Sequence, residues 1–161
     1  MKKIKTGIGF DAHQLAEGPP LIIGGVKIES AFGSVGHSDG DALLHAIVDA
    51  LLGAVGLGDI GQFFPSDDAQ WKGTSSLHFI RDAHDKVQSL GWEVDHVDSI
   101  IILQKPKIQD TIPRMKYQIA YTLETDENNI SVKATTTDHL GYIGEGKGWA
   151  AQSIVTLSKE I

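Results

Sequence analysis

Apolar residues at Ile4, Ile8 and Phe10, set among polar residues and glycines, predict a strand over Ile4–Phe10. Leu21-Ile22-Ile23 and Val26-Lys27-Ile28 predict a hairpin around Gly24-Gly25. From Ser38 to about Val55 the apolar stripe Leu43, Leu44, Ile47, Val48, Leu51 and Leu52 predicts a helix, and Ser38 with Asp41 three residues on is a capping-box pattern in its Asp form. A long loop over Asp59–Gly73 holds Gly61 and Pro65. A second amphipathic helix over Ser75–Leu90, with Leu77, Ile80, Ala83, Val87 and Leu90 on one side, ends at Gly91. Val97–Leu103 predicts a buried strand, broken by Lys105-Pro106-Lys107. Gln109–Leu123, with Ile112, Met115, Ile119 and Leu123, predicts a third helix. Ile130–Thr135 and Trp149–Leu157 predict strands on either side of a glycine-rich loop over Gly141–Gly148. Interleaved strands and helices point to an α/β or α+β fold with helices backing one side of a sheet.

A chain of 161 residues without linker, repeat or low-complexity tract suits one domain over residues 1–161. The formal net charge of −7 argues against a nucleic-acid or membrane-surface role driven by bulk charge. The absence of cysteine excludes disulfides and thiolate metal sites. No apolar run approaches the roughly 20 residues of a membrane span. The basic start, Met1 to Lys5, leads into Gly7-Ile8-Gly9-Phe10-Asp11 instead of a signal-peptide apolar stretch, so the cytoplasm is the expected compartment. The 18 glycines cluster, which marks tight turns or close backbone approach.

Asp11 and His13 are two apart at a strand end, so both side chains share one face. His45 sits on the first helix with Asp41 and Asp49 one turn to either side. One carboxylate and two imidazoles make a three-ligand zinc set that leaves a fourth position open. Asp49 is placed to accept the other ring N–H of His45. The same residues also read as a chance Asp-x-His and a polar helix face, and nothing local ties Asp11 to His45. His78, His84 and His96 read as surface residues.

Gly36-His37-Ser38-Asp39-Gly40-Asp41 opens the first helix, where free N–H groups favour phosphate. Ser38 serves equally well as a plain cap, and Asp41 as a partner of the helix dipole. Lys133-Ala134-Thr135-Thr136-Thr137-Asp138 ends a strand with three hydroxyls, suited to phosphate oxygens, and one carboxylate, suited to Mg²⁺. A β-branched strand end followed by a turn accounts for it as well. The glycines at 141, 144, 146 and 148 lead into a strand and do not fit a dinucleotide fingerprint, which opens a helix.

Several stretches, in order and spacing, resemble the 2-C-methyl-D-erythritol 2,4-cyclodiphosphate synthase family. They are Gly9-Phe10-Asp11-Ala12-His13, Leu21 to Val26, His37 to Ala46, Asp49 to Gly53, Gly58 to Gly61, Phe64-Pro65, Pro106-Lys107 and Val132 to Thr137. The resemblance implies an α/β subunit with a four-stranded sheet and helices on one face. It implies a homotrimer whose sheets face the threefold axis, with active sites between subunits. It implies conversion of 4-diphosphocytidyl-2-C-methyl-D-erythritol 2-phosphate to the cyclic diphosphate with release of CMP. By position, Asp11, His13 and His45 would hold Zn²⁺, and Asp138 a Mg²⁺ or Mn²⁺ ion. His37, Ser38 and Thr136 would meet the phosphates, with His37 and Thr136 acting on the transition state. Asp59, Ile60 and Gly61 would hold the erythritol part, under a loop of Phe64, Pro65, Ser66, Asp67 and Asp68. Leu103, Pro106, Lys107, Ile108, Gln109 and Thr135 would frame the cytidine, and Thr137 and Tyr142 complete the substrate-binding set. Asp138 stands where the family often has Glu. Glu145 stands where a basic residue is usual, with Lys147 as the nearest cation.

In such a reaction the 2-phosphate attacks the β-phosphorus in line, and two anionic groups must be held together by cations. A zinc-dependent nucleotide or sugar-phosphate hydrolase would use the same ligands. A trimeric binding module with structural zinc would normally need four protein ligands, and three are evident.

Overall fold

The computed structural model describes residues 1–161. Strand β1 (Lys2–Glu17) runs well past the predicted Ile4–Phe10, so Asp11 and His13 lie along its length and not at its end. Strands β2 (Leu21–Ile23) and β3 (Val26–Ile28) form the predicted hairpin. Then follow β4 (Phe32–Val35), α1 (Ala42–Val55), α2 (Ile60–Phe63), α3 (Ser76–Ser89), β5 (Glu93–Ile102), α4 (Ile112–Thr122), β6 (Ile130–Thr135), α5 (Gly141–Gly144) and β7 (Gly148–Glu160).

The main sheet has five strands in the order β4-β1-β7-β5-β6, not the four expected. The extra member is β4, which pairs with the end of β1 from Gln14↔Val35 to Glu17↔Phe32. Its four residues, Phe32-Gly33-Ser34-Val35, are too few to carry a readable alternation. The continuation of β1 to Glu17 supplies the backbone partners that make them a strand. Only β5 and β6 are parallel, and α4 lies in the crossover between them. Trp149, fully buried, ties β7 to β4 by donating from Nε1 to Ser34 Oγ at 2.8 Å.

The long central helix α1 is buried over Ala42–Val48 and again at Ala50, Leu51 and Leu52. It lies between the sheet and α3. An apolar stripe this wide suits a helix enclosed on several sides. Its approach to β1 is set by two glycines. A Cβ at Gly7 would collide with the Ala50 carbonyl oxygen, and one at Gly9 with that of Ala46. Gly7, Gly9, Asp11 and His13 therefore share the helix-facing side of β1. The opposite side shows Ile4, Ile8 and Phe10, with Ile154 paired across from Ile8. They are 63%, 61%, 57% and 47% exposed, and no helix covers them.

The helix boundaries differ from the sequence pattern in one instructive place. Asp41, not Ser38, caps α1: its Oδ1 accepts from Leu44 N–H at 3.1 Å. The same carboxylate accepts from Gly24 N–H at 3.1 Å and Gly25 N–H at 2.8 Å, so one buried side chain starts the helix and closes the hairpin. Gly40 at φ 69° breaks the helical path that a Ser38 start would require. Helix α3 keeps its predicted extent to within a residue at each end, with Ser75 as its cap and Gly91 at φ 77° following it as the sequence predicts. His84 on α3 is only 3% exposed, which corrects its reading as a surface residue. Its position one turn before Val87 and after Ile80 puts it on the core side. No helix is long and apolar enough to cross a membrane.

Candidate active site

Three donor atoms meet where β1 faces α1. Asp11 Oδ2 lies 2.8 Å from His13 Nε2 and 3.0 Å from His45 Nδ1, and the two ring nitrogens are 3.2 Å apart. Zinc–ligand bonds of about 2.0–2.1 Å at tetrahedral angles place donors about 3.3 Å apart, so this triangle needs only a slight expansion to take an ion. The donor set, one carboxylate oxygen and two imidazole nitrogens, is that of a catalytic zinc site. Each ring is held from behind. His13 Nδ1 faces the Val35 carbonyl at 3.1 Å, and since a carbonyl only accepts, Nδ1 donates and Nε2 is turned to the triangle. The edge strand β4 thus orients a donor of β1.

His45 is held differently from expectation. Its Nε2 lies 2.8 Å from Ser76 Oγ and 3.2 Å from Ser38 Oγ. Asp49 does not reach it: Asp49 Oδ1 accepts from Ile60 N–H at 2.7 Å. One turn beyond His45, the short Asp49 side chain meets the incoming start of α2 before it can meet the ring. It fixes the Asp59-Ile60-Gly61 segment against α1, and Asp59 in turn caps α2 by accepting from Gln62 N–H.

The electrostatics follow this geometry. Burial works to raise the Asp11 carboxyl, but the hydrogen bonds and charges of His13 and His45 outweigh it and bring it to about 2. Burial opposes protonation of His13, yet Asp11 and the Val35 carbonyl raise it. Burial, with the charge of Asp39, pushes Asp41 up to about 6 against the pull of the Gly25, Leu44 and Gly24 N–H groups.

Ser38 adjoins His45 at Nε2, the edge turned away from the triangle, and His37 Nε2 donates to the Asp68 carbonyl at 2.7 Å. In the segment Phe64, Pro65, Ser66, Asp67, Asp68, the Phe64 ring packs on Phe79 at 4.4 Å between centroids, and Phe79 lies 6.0 Å from the His45 ring. The remaining predicted residues form a second group. Leu103, Pro106, Lys107, Ile108 and Gln109 line a cavity of about 190 Å³ with Ala134, Thr135 and Thr136. A larger cleft of about 850 Å³ beside it includes Lys105, Lys107, Thr136 and His139. Neither is lined by any donor of the triangle. Asp138, at φ 50°, turns its backbone N–H to Thr136 Oγ1 at 3.2 Å. Thr137 Oγ1 donates to the Leu140 carbonyl at 2.7 Å. Tyr142 is half exposed above Gly148. Lys147 is paired with Glu145 at 2.6 Å. The residues that sequence reading missed are Ser76, Asp39 and Phe79, which no local pattern connects to His45.

A family model described as the YgbB family matches residues 4–158. The 2-C-methyl-D-erythritol 2,4-cyclodiphosphate synthase of Solibacter usitatus is 47% identical over 99% of this chain and 100% of that protein. The bifunctional IspDF of Campylobacter jejuni superposes with a TM-score of 0.95 at 44% identity, over 99% of this chain and 43% of that longer one. IspF of Plasmodium falciparum, in a CDP complex, superposes with a TM-score of 0.86 at 35% identity, over 98% of this chain and 97% of that one. These likenesses span nearly the whole chain and bear out the resemblance in its motifs: the chain belongs to the YgbB family, the family of the 2-C-methyl-D-erythritol 2,4-cyclodiphosphate synthases.

Proposed function

We propose that this protein converts 4-diphosphocytidyl-2-C-methyl-D-erythritol 2-phosphate to 2-C-methyl-D-erythritol 2,4-cyclodiphosphate and CMP. The observation that carries the reading is the Asp11–His13–His45 triangle, with Ser38 against the ring of His45. The name of the Solibacter relative and the CDP complex of the Plasmodium one support the reaction and the nucleotide.

In this reading Asp11, His13 and His45 hold Zn²⁺, and Asp138 contributes to a Mg²⁺ or Mn²⁺ site. When bound, the ions supply positive charge that lets two phosphate groups approach and offsets the charge carried away by CMP. His37 and Ser38 hydrogen-bond phosphate oxygens near the start of α1, and Thr136 does so from the nucleotide side. Asp59, Ile60 and Gly61 orient the erythritol, and the Phe64–Asp68 loop covers it. Leu103, Pro106–Gln109 and Thr135 frame the cytidine, with Thr137 and Tyr142 at its border. An oxygen of the 2-phosphate forms a bond to the β-phosphorus as the bond from that phosphorus to CMP breaks. No water is consumed and no protein nucleophile is needed. The chain's part is positioning, which turns ring closure into an intramolecular step.

The triangle and the nucleotide cavity are lined by separate groups of residues, which favours a site completed by a second subunit. The uncovered Ile4, Ile8, Phe10 and Ile154 give the sheet an apolar face that a homotrimer would bury around its axis.

The test is turnover. The protein is incubated with this substrate, Zn²⁺ and Mg²⁺, and products are followed by ³¹P NMR. CMP and cyclic diphosphate in equal amounts, both lost in a folded His45→Ala protein, are expected. CMP with the open-chain 2,4-bisphosphate would mean that water is the nucleophile and would overturn the cyclase reading in favour of a hydrolase.

A further inference from the structure

We propose that Ser76 and Asp39 are positioning residues that commit Nε2 of His45 to donating a hydrogen bond and hold the ring so that Nδ1 is the nitrogen that meets the metal. The inference rests on the zinc reading of the Asp11–His13–His45 triangle.

His45 is 9% exposed and its ring is trapped between the triangle and the start of α3. On the triangle side, Nδ1 faces Asp11 Oδ2 at 3.0 Å and His13 Nε2 at 3.2 Å. On the other side, Nε2 faces Ser76 Oγ at 2.8 Å. A hydroxyl either donates or accepts, so Ser76 alone leaves the ring's proton undetermined. Asp39 removes that freedom. Its Oδ1 accepts the Ser76 hydroxyl proton, and its Oδ2 accepts the Ser76 backbone N–H at 2.8 Å. A carboxylate only accepts, so the Ser76 proton is committed to Asp39 and only oxygen lone pairs face His45. Nε2 must then donate. The polarity runs one way, from the ring through the hydroxyl to the carboxylate, and each member stabilises the next.

The arrangement is rigid. Ser76 is fully buried. Asp39 Oδ1 also takes the Asp41 N–H at 3.2 Å, which ties the relay to the cap of α1. Helix capping does not explain the Ser76 hydroxyl, because Ser75 already caps α3 by accepting from Leu77 N–H at 3.3 Å. Nor is Ser38 the natural acceptor, lying at 3.2 Å from Nε2. With Ser76 engaged, the Ser38 hydroxyl stays free for a phosphate oxygen.

Zn²⁺ affinity is measured by competition with a chromogenic chelator, and the His45 Nε2–H signal is followed by ¹⁵N NMR in metal-free, histidine-labelled protein. Ser76→Ala is expected to weaken Zn²⁺ binding about 10–100-fold, the usual range for removing a partner behind a metal-bound histidine. Asp39→Asn is expected to weaken it less, and to add nothing in the Ser76→Ala background. A protected Nε2–H signal is expected in the unaltered protein and is lost in Ser76→Ala, with circular dichroism reporting a retained fold. Unchanged Zn²⁺ affinity in Ser76→Ala, or an Asp39→Asn loss that is equal in both backgrounds, would overturn the relay. Should the unaltered protein bind no Zn²⁺, the metal reading fails, and the relay is decided by the Nε2–H signal: lost in Ser76→Ala supports it, retained overturns it. Should Ser76→Ala not fold, Asp39→Asn decides, and an unshifted Nε2–H signal overturns the proposal.

Discussion

His37 holds Asp68: its Nε2 donates to the Asp68 carbonyl at 2.7 Å, while the His37 carbonyl accepts from Gly73 N–H at 2.9 Å. The segment from Phe64 to Gly73 is thereby pinned at two points to the residues that lead into α1. A phosphate that recruits His37 Nε2 must release Asp68. His37→Ala removes one pin whether or not substrate is present. Limited proteolysis is expected to cut between Phe64 and Gly73 faster in His37→Ala than in the unaltered protein, with the melting temperature nearly unchanged. Equal cutting rates would show that the imidazole does not restrain the loop. Turnover by His37→Ala should fall about 10²-fold or more, the usual size of a lost transition-state donor.

The contact between β1 and α1 makes the glycines of β1 part of the site. At Gly9 an added methyl meets the Ala46 carbonyl, a helix backbone atom that cannot swing aside. Gly9→Ala is expected to destabilise the fold by about 3 kcal/mol, at the upper end of overpacking effects, as read by urea unfolding. It should also weaken Zn²⁺ binding, because moving α1 outward carries His45 away from Asp11. A Gly9→Ala protein with native affinity would mean that the triangle tolerates helix displacement.

Asp41 accepts three backbone N–H groups inside the protein. Asp41→Ala strands all three, and about 3 kcal/mol or more of stability is expected to be lost. Asp41→Asn keeps one acceptor oxygen but turns its amide donors towards a backbone N–H, so its stability should fall between the two. Urea midpoints of the three proteins measure the order.

His84 gives stability a pH dependence of defined sign. Burial holds its folded-state affinity for protons below that of an unfolded histidine at 6.5, while the nearby charges of Glu124 and Asp85 oppose and Arg81 assists. As pH falls through 6.5, the unfolded chain takes up a proton that the folded chain resists, so stability declines towards acid. His84→Leu, which removes the proton site on the core side of α3, is expected to flatten that decline. Urea unfolding of both proteins between about pH 7 and pH 5 gives the slopes, and identical slopes would remove His84 as its source.

Much of this was legible in the chain. The hairpin around Gly24-Gly25 and helix α3 between Ser75 and Gly91 follow from patterns a few residues long, where local propensity and turn chemistry decide. The period of two placed Asp11 and His13 on one face, and the helical stripe placed His45 on α1. The motif order carried the family resemblance, because it is a property of the chain itself.

The remaining features arise between segments distant in sequence. The fifth strand exists because β1 runs on to pair with Phe32–Val35. Ser38 lost the cap of α1 to Asp41, since only Asp41 also meets the hairpin. Asp49 was drawn to Ile60, and the place behind His45 went to Ser76, which sits 31 residues away and is primed by Asp39. Which buried polar group meets which cannot be read from spacing, because each buried donor and acceptor takes whatever partner the packing brings close. The donor types and the elements that bear them are properties of the chain; the packing of α1 onto the glycines of β1 is what makes them meet.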